Sequence, residues 1–324
     1  MSHHRSHRRL GLIRRGSGAA IAALQARAAA WDVPLSEHEN GLSLSVWGSE
    51  LRLTHEQSEL RIELLAPEER LTGVLRDSAT ELFAEVGISV EWDDLEVGAL
   101  APGLSLMRVL SVTRPSPNFL RVWLAGADAA RLATGGLHFR LLLPPAGRDP
   151  AWPRVGPTGR TVWPEGADAL HRPVYTVLNQ EGCWLDFDIF RHADSPTCHW
   201  AEGDPVGQTI GVMGPGGGAC PEADRLWLYG DATALPAITR MMRLARGRVS
   251  AMIDCHPEDL GELAGDPRVK TGSDLLGALR RQGAIGDGDV IWFAAGAKDA
   301  TAARVILKDA GVPKRQCIVA AYWS

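Results

Sequence analysis

From Asp224 onward, short runs rich in β-branched and aromatic residues alternate with longer stretches patterned for helix, and few architectures accept that order. Residues 225–229, 248–255, 268–270, 289–294 and 316–323 read as strands, and 235–246, 257–264, 273–282 and 298–310 as helices. Strands separated by helices cannot pair as hairpins, so the pattern predicts a parallel sheet covered on both faces. Ligands of such sheets sit at the carboxyl ends of the strands. Here those ends are Gly230 and Asp231, then Asp254, then Ala295 and Gly296, and finally Tyr322 and Trp323.

The region before Asp224 follows a different rule. Residues 105–113, 119–124, 139–143, 174–178, 183–190 and 208–213 are short, apolar or alternating, and separated by turn residues, as in a small antiparallel barrel. Two prolines in the 114–118 turn argue against ladder pairing there. Residues 179–182 read as a turn, and 148–166 as a surface loop rich in proline and glycine. Along 183–190, Asp186 and Asp188 fall on one face, and Leu185, Phe187 and Ile189 on the other. Ser195, Pro196 and Thr197 then form a helix start, a cap followed by proline, whose N–H groups suit an anion.

Residues 19–98 read as a small α+β unit, with helices at 19–30 and 68–86 and strands at 42–47, 50–54, 59–65 and 88–92. A linker is expected at 95–104, and residues 1–18, with five arginines, three histidines and no acid, as a disordered tail. The expected organisation is therefore α+β and α/β multidomain: 1–18 tail, 19–98 α+β domain, 105–222 barrel, 223–324 parallel-sheet domain. A net charge of −5 argues against nucleic acid as the main partner. The chain has no apolar run of the ~20 residues that span a bilayer. Five scattered cysteines without a CxxC pair point to a reducing, cytoplasmic compartment and to no zinc site. A faint twin-arginine pattern at Arg8 and Arg9 lacks the apolar run of an export signal, because Gln25 and Arg27 interrupt it.

HRPVYTV at 171–177, DIFRH at 188–192, SPTCHWA at 195–201, GPGG at 214–217, GDATALPAI at 230–238, WFAAG at 292–296 and AYW at 321–323 stand in the order of one family. Residues 105–323 thereby resemble the siderophore-interacting proteins, ferredoxin-reductase-like flavoenzymes that reduce ferric siderophores. Residues 19–98 resemble a small domain of unassigned function found with that family. The resemblance implies FAD and NADH or NADPH as cofactors and a ferric siderophore as substrate. Arg172 would clamp the pyrophosphate, Tyr175 would lie against the isoalloxazine ring, and Thr176 would bond its polar edge. Ser195, Pro196 and Thr197 would face the pyrophosphate, His192 would line the adenosine side, and Trp200 would pack behind the loop. Pro173, Val174 and Asp188 complete the flavin motifs. Gly230, Asp231, Thr233, Ala234 and Pro236, with Ala295, Gly296, Tyr322 and Trp323, would receive the nicotinamide dinucleotide. Asp254, Glu258 and Asp259 after the second strand favour NADH, because a 2′-phosphate would want arginine there.

The departures are specific. The family's arginine stands two residues before the tyrosine, whereas Arg172 stands three before Tyr175, so a bulge is expected between them. A second basic residue is replaced by Leu178, and two acids of the nicotinamide motifs by Ala232 and Ala297. The basic, glycine-containing segment that usually follows YW is absent, and Ser324 ends the chain. The leading reading is an NAD(P)H-dependent flavin oxidoreductase that releases iron as Fe(II). The second is a flavin- or siderophore-binding protein with a degenerate nicotinamide site, and the third an interaction protein without flavin.

Overall fold

The computed structural model describes residues 6–46, 48–282 and 285–324. The chain divides into two compact units, Met1–Leu104 with Pro144–Leu170, and Ser105–Leu143 with His171–Ser324.

The first unit begins with β1 (His7–Ile13), α1 (Ser17–Trp31), β2 (Leu35–His38), β3 (Gly41–Val46), β4 (Ser49–Glu56), β5 (Glu59–Ala66), α2 (Glu69–Ala84) and β6 (Glu91–Trp92). They form one sheet in the order β2-β3-β4-β5-β1-β6, with a core that includes Leu24, Leu53, Leu60, Ile62, Leu64 and Phe83. Residues 7–13, whose basic composition reads as a disordered tail, are thus an interior strand. Ile13 is fully buried, and β1 pairs antiparallel with β5 from His7↔Ala66 to Ile13↔Leu60. Arg14 pairs across the sheet with Glu91 at 2.8 Å and with Glu59 at 3.0 Å. Residues 1–5 of the expected tail, and Trp47 at the end of an expected strand, lie outside the described residues.

The second unit opens with β7 (Leu104–Ser116), β8 (Phe119–Ala125) and β9 (His138–Leu142). β7 runs through Pro115, with its register broken between Thr113 and Ser116, so the prolines distort the ladder without ending it. The chain then leaves for the first unit. Residues 148–166 are not simply a loop there, since β10 (Arg154–Val155) and β11 (Thr161–Val162) make a ribbon, and Thr161 N–H donates to Asp77 Oδ1 at 2.5 Å. The expected linker at 95–104 is held by the same ribbon, with Gly98 N–H donating to Val155 O at 2.8 Å and Ala101 N–H to Pro153 O at 2.9 Å.

The barrel resumes with β12 (Val174–Thr176), β13 (Asn179–Glu181), β14 (Trp184–Phe190), α3 (Pro196–Glu202) and β15 (Thr209–Gly216). Its strand order is β12-β9-β15-β7-β8-β14-β13. β12, at one end of the order, meets β14, next to the other end, where Tyr175 packs on Phe187, ring centroids 5.0 Å apart. Residues 179–181 are a strand and not a turn, because Asn179 folds back onto Asp186. That carboxylate is fully buried and accepts from the Asn179 backbone N–H at 3.0 Å and its Nδ2 at 2.9 Å. Of the two carboxylates on one face of β14, Asp186 is thus covered by Asn179.

The parallel sheet consists of β16 (Arg225–Asp231), α4 (Leu235–Leu244), β17 (Arg248–Asp254), β18 (Val269–Thr271), α5 (Leu275–Arg281), β19 (Asp289–Gly296), α6 (Ala297–Asp309) and β20 (Cys317–Trp323). The strands lie in the order β18-β17-β16-β19-β20, all parallel. The expected helix at 257–264 is two short 3₁₀ turns, interrupted where Gly261 adopts φ +52°. Barrel and sheet share a core, in which Phe119 and Leu137 pack with Ile238, Met241 and Trp292. Arg240 of α4 is buried in the same seam and donates to Leu137 O at 2.7 Å, Ala133 O at 3.0 Å and Leu132 O at 3.1 Å.

Candidate functional site

β9 and the chain from His171 to Thr176 keep one antiparallel register, from the Leu143↔His171 bridge to Thr176↔His138. The bulge expected before Tyr175 is absent. On an unbroken strand Arg172, Val174 and Thr176 share one face, and Pro173 and Tyr175 the other. Tyr175 turns inward against Phe139 and Phe187, and burial pushes its hydroxyl up to about 12 despite a hydrogen bond with Thr197. Thr197 Oγ1 also meets His171 Nε2 at 3.0 Å, and Ser195 Oγ caps α3 by accepting from Cys198 N–H at 3.3 Å. Tyr175, Ser195 and Thr197 therefore brace the strand from within the barrel.

Several predicted site residues stand apart from the outer face. Asp188 is engaged by Arg121 in a two-pronged ion pair at 2.7 and 2.8 Å. Trp200 Nε1 donates to Gln208 Oε1 at 3.1 Å. His192 is exposed, its Nδ1 3.1 Å from Ala193 O, and Pro196 is exposed as well.

The outer face converges on a histidine that no motif contains. His138 Nδ1 lies 3.0 Å from Thr176 Oγ1, and its Nε2 lies 3.2 Å from the Tyr322 hydroxyl. Burial and the nearby Arg240 charge lower its pKa to about 4, so the ring is neutral at physiological pH, one nitrogen donating and the other accepting. Gly217 makes room for it: with φ +73°, a Cβ there would lie 2.3 Å from His138 Cδ2. Tyr322 is edge-on to both His138 and Trp292, and burial, followed by the charge of Asp231, raises its hydroxyl pKa. On the same face Arg140 is exposed and donates to Arg172 O at 2.9 Å, and Arg172 and Val174 are exposed beside it.

The strand ends come together as the alternation predicts. Asp231 Oδ1 accepts from Thr233 N–H at 2.9 Å and from its hydroxyl at 2.5 Å, while Oδ2 accepts from Trp323 Nε1 at 2.7 Å. The indole lies on Gly296, where a Cβ would come within 2.6 Å of Trp323 Cζ2. Gly230, Ala234, Pro236 and Ala295 are buried and shape the strand-to-helix turns. Asp254 ends β17, its pKa raised by burial and by the carboxylates of Asp231 and Asp299. Asp259 does not join them. It is buried and accepts from Asn118 N–H at 3.1 Å and Nδ2 at 2.8 Å, while Glu258 is exposed. The acidic group at these ends is therefore Asp231, Asp254 and Asp299, of which the pattern after the second strand identified only Asp254.

All five cysteines are free thiols. Among the described residues no cluster of histidine, cysteine and carboxylate side chains could hold a metal ion, and no helix is long and apolar enough to cross a membrane.

Residues 108–219 match the model of the siderophore-interacting FAD-binding domain, and residues 223–324 that of siderophore-interacting protein. No curated protein matches the chain. Among solved structures, a siderophore utilization protein from T. fusca is 28% identical, with 71% of this chain and 95% of that one covered and a TM-score of 0.54. The siderophore-interacting protein SipS from Aeromonas hydrophila is 22% identical over 68% of this chain and 91% of that one, TM-score 0.53. A ferredoxin NADP+ reductase from Neisseria gonorrhoeae, with bound FAD and NADP, is 13% identical over 68% of this chain and 99% of that one, TM-score 0.50. An FAD-binding barrel followed by a five-stranded parallel sheet, each matched by its own family model, makes this chain a member of the siderophore-interacting protein family with a ferredoxin-reductase-like fold.

Proposed function

We propose that this protein is an FAD-dependent reductase of ferric siderophores that draws electrons from a nicotinamide dinucleotide, with NADH preferred to NADPH. The observation that carries the reading is the contact of Tyr322 with His138, which brings the last strand of the parallel sheet beside the barrel face of Thr176. The donors on that face suit a flavin. Arg172 and Arg140 offer planar guanidinium groups for phosphate oxygens, and the Thr176 hydroxyl offers a donor for the polar edge of the ring system. When bound, FAD supplies the exchange between a two-electron donor and a one-electron acceptor.

The residues of the chain position and select. Tyr175, Thr197 and His171 fix the strand from inside, so that Thr176 keeps its place. Asp231, Asp254 and Asp299 hold negative charge where an adenosine 2′-phosphate would bring more, which favours NADH. The iron is substrate: Fe(II) has the lower charge density and binds hard oxygen ligands less tightly, so reduction releases it. A cytoplasmic setting agrees with five free thiols.

A second reading is favoured by one contact. The Trp323 indole occupies the ledge made by Asp231 and Gly296, where a dinucleotide would dock, and this fits a flavin- or siderophore-binding protein with little turnover. Purified protein reconstituted with FAD and titrated anaerobically with NADH and with NADPH separates the two. Flavin bleaching by NADH, then recovery of colour on adding a ferric siderophore with release of Fe(II) to a chelator, supports the reductase. Bound flavin that NADH leaves oxidised supports the second reading, and failure to take up FAD rejects both.

A further inference from the structure

We infer that His138 is a positioning residue for the flavin: held by Tyr322, its ring turns the Thr176 hydroxyl so that the hydroxyl hydrogen is offered to an acceptor on the cofactor. The inference rests on the FAD reading above and goes beyond it, because neither the motifs nor the resemblance gave His138 a role.

The direction of the hydrogen bonds follows from their partners. His138 is the hydrogen-bond partner of the Tyr322 hydroxyl among the described residues, at 3.2 Å. If Nε2–H donated to the tyrosine oxygen, the phenolic hydrogen would be left without an acceptor, and an unmet donor costs more than an unfilled lone pair. Tyr322 therefore donates to Nε2. A neutral imidazole then carries its hydrogen on Nδ1, which donates to Thr176 Oγ1 at 3.0 Å. With its oxygen so engaged, the Thr176 hydroxyl has its own hydrogen left to give. Thr176 is buried, and no acceptor for that hydrogen exists among the described residues. A bound group that presents a carbonyl oxygen or ring nitrogen to this face completes the chain Tyr322 to His138 to Thr176.

The surroundings hold the ring in this role. Arg240 lies near enough to oppose a second proton on the imidazole, and its guanidinium is tied to three backbone carbonyls. Gly217 leaves no space for another side chain at the ring edge. A donor aimed at the polar edge of a flavin favours its electron-rich form, so losing that donor makes the cofactor harder to reduce.

The experiment is measurement of the reduction potential of bound FAD, by anaerobic equilibration with a reference dye, in the full chain and in His138→Leu, His138→Asn and Tyr322→Phe. FAD content is determined on each sample. In His138→Leu the ratio of reduced to oxidised FAD at a fixed potential is expected to fall about tenfold, which is ~30 mV more negative for a two-electron couple. In His138→Asn the side-chain amide can donate from the place of Nδ1, and the potential is expected to return to the wild-type value. Tyr322→Phe, which frees the tautomer and leaves the ring in place, is expected to shift in the same direction as His138→Leu by a smaller amount. Should His138→Leu fail to fold, Tyr322→Phe and His138→Asn still decide. His138→Leu and Tyr322→Phe variants that retain FAD at the wild-type potential overturn the inference and leave the FAD reading standing, as does an asparagine variant that shifts as far as the leucine one. Wild-type protein that takes up no FAD overturns the FAD reading itself, and the inference with it.

Discussion

Arg240 gives the sharpest test of how barrel and sheet are joined. Its guanidinium is buried and has no carboxylate opposite it among the described residues, only the carbonyls of Leu137, Leu132 and Ala133. Each bond from a charged donor contributes roughly 1.5–3 kcal/mol, so three contribute about 4.5–9 kcal/mol gross. Returning a buried cation to water recovers several kcal/mol of that, to be set against the loss in Arg240→Met. The acceptors also differ in what replaces the guanidinium. Leu137 O keeps the Val177 N–H at 3.1 Å, and Ala133 is exposed enough for water, whereas Leu132 is fully buried. A net loss of about 2–3 kcal/mol is expected, most of it from Leu132 O, and this corresponds to a fall in Tm of roughly 4–12 °C for a unit of this size. Scanning calorimetry of wild type, Arg240→Met and Arg240→Lys measures it. The lysine variant is expected to recover only about one bond, since a single ammonium cannot span three carbonyls. A methionine variant within about 0.5 kcal/mol of wild type would refute the reasoning, because that is the range of an ordinary surface substitution.

Three further outcomes are expected. His138 stays neutral in the folded chain down to about pH 4, whereas the unfolded imidazole protonates near 6.5, so the unfolded state takes up the proton first. Stability should therefore be unaffected by this group above about pH 7 and fall as pH drops from ~6.5 to ~4, by roughly 2–3 kcal/mol relative to His138→Asn. Denaturation curves of the two proteins at a series of pH values check the sign. Trp323→Ala removes the indole from Asp231 and Gly296, and stopped-flow flavin reduction by NADH should quicken by about tenfold, the equivalent of ~1.4 kcal/mol. An unchanged rate would mean that the indole does not obstruct docking. Asp254→Ser lowers the negative charge at the end of β17 and should raise kcat/KM for NADPH relative to NADH by about tenfold, as steady-state kinetics with both donors will reveal.

The parallel sheet was readable in the sequence because its signals are local. Apolar strands, Pro236 at the start of α4 and Asp274 at the start of α5 mark its elements without reference to distant residues. What escaped was set by partners far along the chain. Residues 7–13 carry the composition of a solvated tail, yet they pair with β5, and Arg14 finds its acids at Glu59 and Glu91. The glycine- and proline-rich stretch after β9 reads as a loop, and partners distant in sequence hold it, Asp77 by receiving Thr161 N–H, and Gly98 and Ala101 by donating to Val155 O and Pro153 O. Asp259 looks like a free acid after the second strand, but Asn118 consumes both of its oxygens.

The candidate site divides along the same line. Gly230, Asp231, Thr233, Tyr322 and Trp323 stand in motifs at strand ends, and the fold assembles them where the alternation requires. The strand Val174–Thr176 lies within the expected 174–178 and differs in register from the expectation. The offset between Arg172 and Tyr175 implied a bulge, whereas the unbroken ladder sends Arg172 outward with Thr176 and turns Tyr175 into the barrel. That inversion changes which residue faces a ligand: the outer face offers a hydroxyl and two guanidinium groups, and the aromatic ring serves as its support. His138 left no trace in the sequence, because its meaning lies in two contacts, to Thr176 and to Tyr322, that only the closed barrel beside the last strand creates. The glycines of 214–218 did leave a trace as a motif, and the ring that they admit is the physical reason for at least Gly217.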